Sequence, residues 1–87
     1  MHFHITYEFD SSQRNSAQDR FRETGALPPD GIEMLGRWHA AGGNKGFMLA
    51  ETDDVVAIGH WVQQWTDLLS FEVTPVMNDE QVSEVLS

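Results

Sequence analysis

Apolar and polar residues alternate strictly at the start of the chain. Within residues 2–9 every second side chain is apolar, namely Phe3, Ile5, Tyr7 and Phe9. A period of two with aromatic and β-branched members predicts a strand with one apolar face and one polar face. The polar face would carry His2, His4, Thr6 and Glu8.

Two later segments have the features of helices. Residues 13–24 follow the capping residues 10–12 and end before Gly25, which is a common helix stop. Residues 55–69 follow the caps 52–54 and repeat apolar side chains every three or four positions. This spacing predicts a helix with a buried stripe that includes Trp61 and Trp65.

A glycine-rich turn joins two more strand-like runs within residues 31–51. In the first run, 32–39, alternation predicts that Trp38 shares the core face with Ile32 and Met34. Arg37 and His39 would then lie on the other face of the sheet, on the side nearest His4. The turn 40–46 is long, so the register stays open, and a slip of one residue would exchange the faces of one strand.

A fourth strand and a short tail complete the predicted fold. Residues 71–76 alternate and contain Pro75, which suits an edge strand, and the tail 78–87 begins with a capping-box pattern. The order of elements predicts a single α+β domain over 1–87, a ferredoxin-like βαββαβ fold. Its four-stranded antiparallel sheet would have the strand order 4-1-3-2 and two helices on one face. We call the uncovered side the open face.

Composition excludes several classes of function. The formal net charge is −9, which opposes binding to nucleic acid. We interpret Arg14, Arg20 and Arg22 as solvated helix charges that pair with acidic neighbours such as Asp19, in preference to a functional basic patch.

No segment has the roughly 20 apolar residues that cross a membrane. The start of the chain lacks a signal-peptide pattern and cysteine is absent, so we expect a cytoplasmic protein.

The four histidines do not form a recognisable metal motif. His2 and His4 share a strand face, but the strand of His39 would lie two strand spacings away, roughly 10 Å. We therefore expect no metal and no cofactor, with His2 and His60 as surface residues. A dinuclear or haem site built by two subunits is the less favoured alternative.

Candidate site residues come from the hairpin and from the aromatic side chains. Arg37 and His39 would supply a fixed cation and a titratable group to an anionic or carbonyl-bearing ligand. The alternative, which we favour, is that Arg37 pairs with Glu33, or with Glu8 or Glu72 across a dimer interface. We expect the three tryptophans to pack in the core, and a cavity under the second helix could bind a flat apolar ligand between Tyr7, Trp38, Trp61 and Trp65.

Three parts of the sequence resemble a family of small domains of unknown function in the dimeric α/β-barrel superfamily. They are residues 28–51, with their GRWH step, the acidic cap and helix with two tryptophans, and the ending FEVTPVMNDEQ. The resemblance implies a ferredoxin-like protomer whose sheet faces that of a partner, often with C-terminal residues crossing between subunits. It implies no activity, because that family itself has none assigned. The wider superfamily includes cofactor-free monooxygenases, lactone isomerases, haem-handling enzymes and ligand-sensing domains, so the fold alone does not choose among these functions.

Three functional hypotheses follow. The first is a small-molecule-binding homodimer that associates through the sheet face and binds an apolar or aromatic ligand. The second is a cofactor-independent monooxygenase or isomerase acting on an aromatic or carbonyl-bearing molecule, with His39 or His4 as base and Arg37 stabilising an enolate. The third is a structural or regulatory interaction domain.

Overall fold

The computed structural model describes all residues, 1–87, and has the predicted order of elements. The strands form a four-stranded antiparallel sheet in the order β2-β3-β1-β4, which confirms the ferredoxin-like α+β fold. No helix is both long enough and apolar enough to cross a bilayer. The elements are β1 (His2–Glu8), a 3₁₀ turn (Ser11–Gln13), α1 (Arg14–Thr24), β2 (Glu33–His39), β3 (Lys45–Glu51), α2 (Val55–Gln63), β4 (Ser70–Val76) and α3 (Asp79–Leu86).

Three helix ends follow the capping signals in the sequence, whereas the predicted caps 10–12 are not used as such and α1 begins without a side-chain cap. Gly25 adopts a left-handed conformation with φ of 71° and ends α1. The Asp54 side chain accepts a hydrogen bond from the Val56 N–H at the start of α2, and Asn78 and Gln81 form a capping box at α3.

Helix α2 is shorter than predicted. It ends at Gln63, and the next backbone hydrogen bonds span three residues, as in a 3₁₀ turn. The Gln64 N–H donates to the Trp61 carbonyl and the Trp65 N–H donates to the Val62 carbonyl. Trp65 is nevertheless buried. The apolar stripe therefore continues through a turn after the helix has ended.

The hydrophobic core lies between the sheet and α2. Phe3 and Ile5 of β1 face the helices, as the alternating pattern predicts, and are almost completely buried. Around them the core comprises Ile32, Met48, Ala50, Ile58, Trp61 and Val62. The helix-facing side of β1 and β3 thus supplies four of the eight core residues, and α2 supplies three more.

A β-bulge interrupts the alternation of β2. Met34 pairs with Ala50 and Gly36 pairs with Leu49, the neighbouring residue on β3, so Leu35 is an extra residue in β2. A bulge places two residues of one strand opposite one residue of the other. Every side chain after Leu35 therefore lies on the face opposite to the one that simple alternation predicts.

The bulge overturns the predicted faces of three residues. Arg37 pairs with Met48, which is buried under the helices, so Arg37 and His39 lie on the helix-facing side. Trp38 pairs with Phe47 on the open face, where 55% of its surface is exposed. The prediction that Trp38 packs in the core is wrong. The prediction that Arg37 and His39 share the open face with His4 is also wrong.

An apolar patch occupies the open face. The rings of Trp38 and Phe47 stack with centroids 5.3 Å apart, and the His4 ring lies 5.5 Å from Phe47. Gly36 makes this possible, because a Cβ there would collide with the Trp38 indole. The Trp38 and Phe47 rings therefore lie over the open face of the sheet and remain exposed to solvent.

Helix α3 extends away from the rest of the protomer. None of its residues is buried, and Val85 and Leu86 are 67% and 80% exposed. The radius of gyration is 14.3 Å, whereas a compact chain of this length has about 12 Å. The amphipathic helix thus leaves Val85 and Leu86 exposed to solvent in the protomer, while Val82 is half-buried.

Candidate ligand cavity

A cavity of about 550 Å³ lies between the sheet and the two helices α1 and α2. Its volume falls in the range of about 300–1,000 Å³ that is typical of small-molecule sites. Sixteen residues line it and eleven of them are hydrophobic. The sheet contributes Tyr7, Arg37, His39, Met48 and Phe71, and the helices and their connections contribute Ala17, Gln18, Phe21, Arg22, Trp61, Val62, Trp65 and Leu69, among others.

Tyr7 and His39 form a hydrogen-bonded pair in the wall of the cavity. The Tyr7 hydroxyl lies 2.5 Å from Nδ1 of His39, although β3 separates their two strands. Gly46 is the β3 residue paired with both. A Cβ on Gly46 would lie 2.6 Å from the Tyr7 ring. The absence of a side chain there allows the Tyr7 ring to lie across β3 and reach His39.

The protonation of this pair follows from its surroundings. Burial raises the pKa of Tyr7, and Arg37 opposes that rise only in part. Burial, followed by the positive charge of Arg37, lowers the pKa of His39. Tyr7 therefore keeps its proton and His39 is neutral; in the His39 tautomer whose ring proton is on Nε2, the Tyr7 hydroxyl donates a hydrogen bond to Nδ1.

Arg37 connects β2 to the end of α1. Its guanidinium donates hydrogen bonds of 2.8 Å to the Ala26 carbonyl and 2.9 Å to the Gly25 carbonyl, and it lies 5.0 Å from the centre of the Phe21 ring. Burial lowers the pKa of Arg37. None of the ion pairs of the protomer includes Arg37, so it does not pair with Glu33 there; its pairing with Glu8 or Glu72 across a dimer interface stays a prediction.

A second arginine fixes the helical side of the cavity. Arg20 forms two hydrogen bonds of 2.7 Å to the Asp67 carboxylate and one of 3.0 Å to the Gln64 carbonyl. These bonds hold the pKa of Asp67 below its usual range. The predicted local pairing applies instead to Arg22, which contacts Asp19 at 2.8 Å. Arg20 thus joins α1 to the segment after α2.

The cavity brings together most of the predicted site residues and separates two of them. Tyr7, Arg37, His39, Trp61 and Trp65 all line it. His4 and Trp38 belong to the open face, so neither can act on a ligand in this cavity. Sequence reasoning missed Phe21 as a cavity residue, although it is one of the few apolar residues in α1.

The histidines remain apart. His2 lies 3.1 Å from Glu51 on the open face, and His39 is on the other side of the sheet. No group of three histidine or carboxylate side chains could hold a metal ion. The cavity combines aromatic walls with the polar side chains of Tyr7, Gln18, Arg22, Arg37 and His39.

Comparisons with known proteins agree with the fold and assign no activity. The family model described as "Domain of unknown function (DUF3303)" matches residues 1–87. A solved structure, "Structure of Rv0793 from Mycobacterium tuberculosis", is similar with a TM-score of 0.55 and 11% identity, over 91% of this chain and 98% of that one. At this identity the likeness shows the fold alone. No curated protein matches the sequence.

Proposed function

Because the chain belongs to the DUF3303 family of domains of unknown function, its role has to be inferred from its own site, and we propose that it is a homodimeric small-molecule-binding domain. The ligand would be a flat apolar or aromatic molecule held in the cavity under α1 and α2. One observation carries the proposal: a cavity of about 550 Å³ with mainly apolar walls lies in a domain of only 87 residues.

The apolar surface of the cavity supports a binding role. A small domain has little stability in reserve, and apolar wall that a ligand covers is removed from water, which favours the complex. Aromatic side chains in the wall suit a flat ligand, because they offer large rigid surfaces with few torsions to fix. The aromatic walls are formed by Tyr7, Phe9, Phe21, Trp61, Trp65 and Phe71.

The open face supports association with a second copy. Trp38 and Phe47 are 55% and 42% exposed there, and an exposed aromatic patch is typical of protein interfaces. Two such sheets can pack face to face at about 10 Å. The exposed apolar side chains of α3, Val85 and Leu86, offer a further contact to a partner subunit.

Ligand binding is tested by thermal unfolding with a panel of bicyclic aromatic acids and amides. A ligand at 100 times its dissociation constant stabilises the fold by about 2.7 kcal/mol. The change Ala17→Leu adds a side chain to the cavity wall and should weaken binding at least tenfold. Ala41→Leu makes the same change at an exposed turn position and should leave binding intact. If no compound raises the melting temperature, the structural or regulatory alternative is favoured.

A cofactor-independent monooxygenase or isomerase is the second candidate, and the Arg37 and His39 side chains favour it. A neutral histidine beside a fixed cation is able to accept a proton while the cation stabilises an enolate. The Tyr7 hydroxyl already binds Nδ1 of His39, so that bond would have to be exchanged during proton transfer. In an oxygen-uptake or isomerisation assay with the same panel, His39→Gln should abolish turnover and leave the fold and association intact.

A further inference from the structure

We propose that the ligand of this cavity is an anion, a carboxylate on a flat apolar body, and that Arg37 binds its charged end. This inference rests on the proposed binding function and adds the charge of the ligand. The charged group of the ligand would bind at one end of the cavity, where Arg37 lies beside Tyr7 and His39 on the sheet side. It does not depend on the open face or on the association state.

The distribution of charge around the cavity is opposite to that of the whole protein. The chain has fourteen Asp and Glu residues against five Lys and Arg. None of the fourteen carboxylates lines the cavity, whereas two of the five cations, Arg22 and Arg37, do. An acidic protein thus contains one concave, apolar surface whose only formal charges are positive. Such a surface favours an anion over a cation or a neutral molecule.

The two cations differ in whether their charge is already balanced. Arg22 is largely exposed at the rim and contacts the Asp19 carboxylate at 2.8 Å. Arg37 is part-buried and bonds only to the carbonyls of Gly25 and Ala26. Those carbonyls orient the guanidinium but carry no formal charge, and a guanidinium has more N–H donors than the two that they use. Arg37 therefore has both the charge and the free donors to bind a carboxylate.

The neighbouring polar pair is suited to the same ligand. In the His39 tautomer whose Nδ1 accepts the Tyr7 hydrogen bond, Nε2 carries the ring proton and can donate a hydrogen bond to a ligand oxygen. A bound carboxylate would also favour the charged form of His39, which burial and Arg37 disfavour in the free protein. Binding of an anion should therefore raise the pKa of His39, and binding of a neutral molecule should not.

The test compares 2-naphthoate with 2-naphthamide, two ligands of the same shape and different charge. We expect isothermal titration calorimetry to show that the wild-type protein binds the acid about tenfold or more tightly than the amide, as one charge-assisted hydrogen bond allows. In Arg37→Gln the two affinities should become similar while that for the amide is retained. Arg14→Gln, which removes an exposed cation outside the cavity, should keep the preference for the acid.

A second measurement needs no variant and so remains decisive if Arg37→Gln fails to fold. Imidazole NMR signals of His39, titrated with pH in the wild-type protein, should show a higher pKa with 2-naphthoate than without it, and no rise with 2-naphthamide. Equal affinity for the two ligands, or an unchanged His39 pKa in the naphthoate complex, would overturn the anion inference and leave the binding function standing. Failure of both ligands to bind would overturn both.

Discussion

The Tyr7 hydroxyl and the His39 ring are hydrogen-bonded to each other across β3, a strand to which neither belongs. The contact passes over Gly46, where a missing side chain leaves space for the Tyr7 ring. Because Arg37 is two residues before His39 on the same face, this contact gathers three polar groups at one side of the cavity. A single glycine in β3 thus determines how the polar end of the cavity is built.

The first prediction concerns Gly46→Ala. The new Cβ would lie 2.5 Å from the Trp38 carbonyl oxygen and 2.6 Å from the Tyr7 ring, so backbone and side chain must both move. We expect the free energy of unfolding to fall by about 1–3 kcal/mol, as for other overpacked sites. Urea unfolding measures the change, and the Tyr7–His39 bond should be lost.

Gly59→Ala is the matched control for that change. Gly59 lies within α2, and a Cβ there meets nothing within 4 Å. Since alanine is the better helix former, we expect this variant to gain about 0.5–1 kcal/mol. Equal loss of stability in both variants would show that the tight approach at Gly46 is not the cause.

The second prediction is a dependence of stability on pH through His39. Its pKa in the folded protein is lowered from the ordinary value of 6.5, so the unfolded chain binds the proton more tightly. The contribution of His39 to the free energy of unfolding is therefore complete above the ordinary pKa of 6.5. This contribution is lost as the pH falls towards the lower pKa that His39 has in the folded protein. Protonation would also remove Nδ1 as the acceptor for the Tyr7 hydroxyl.

The measurement compares urea unfolding of the wild-type protein and His39→Gln between about pH 7.5 and pH 5.5. The wild-type protein should lose more stability than the variant on acidification. If the two curves stay parallel, His39 is not held in its neutral form by its surroundings.

The third prediction concerns Trp38 and self-association. Buried tryptophans often contribute 2 kcal/mol or more to an interface, and a charge at this position would oppose its burial. We expect sedimentation velocity to show a dimer for the wild-type protein and a monomer for Trp38→Glu. Val56→Glu places the same charge on exposed α2 and should remain dimeric. A wild-type protein that is monomeric at micromolar concentration would rule out the proposed dimer.

The fold was predictable because each of its signals is local. Alternation along β1, the stop at Gly25 and the capping box at Asn78 all appear in the structure as the sequence implies. The prediction failed where one extra residue changed the outcome. The bulge at Leu35 reversed the faces of Arg37, Trp38 and His39, and alternation alone does not reveal it. Gly36 was the available signal, since a glycine inside a strand often marks a bulge.

The long-range contacts of the site had no comparable signal. Arg20 and Asp67 are 47 residues apart in the chain, and either could have paired with a nearer charge. Gly46 looked like one more glycine of a turn, yet it belongs to β3 and separates Tyr7 from His39. Such contacts depend on strand register and helix placement, which hydrophobic patterning does not determine.

The binding function is tested most directly by NMR of the protein labelled at its methionine methyl groups. Of the four methionines, only Met48 lines the cavity. On titration with 2-naphthoate we predict a saturable shift of the Met48 signal and nuclear Overhauser contacts between its methyl group and the ligand ring. The signals of Met1 and Met77 should not move. Shifts confined to Met1 or Met77, or no shift at all, would contradict binding of this ligand in the cavity.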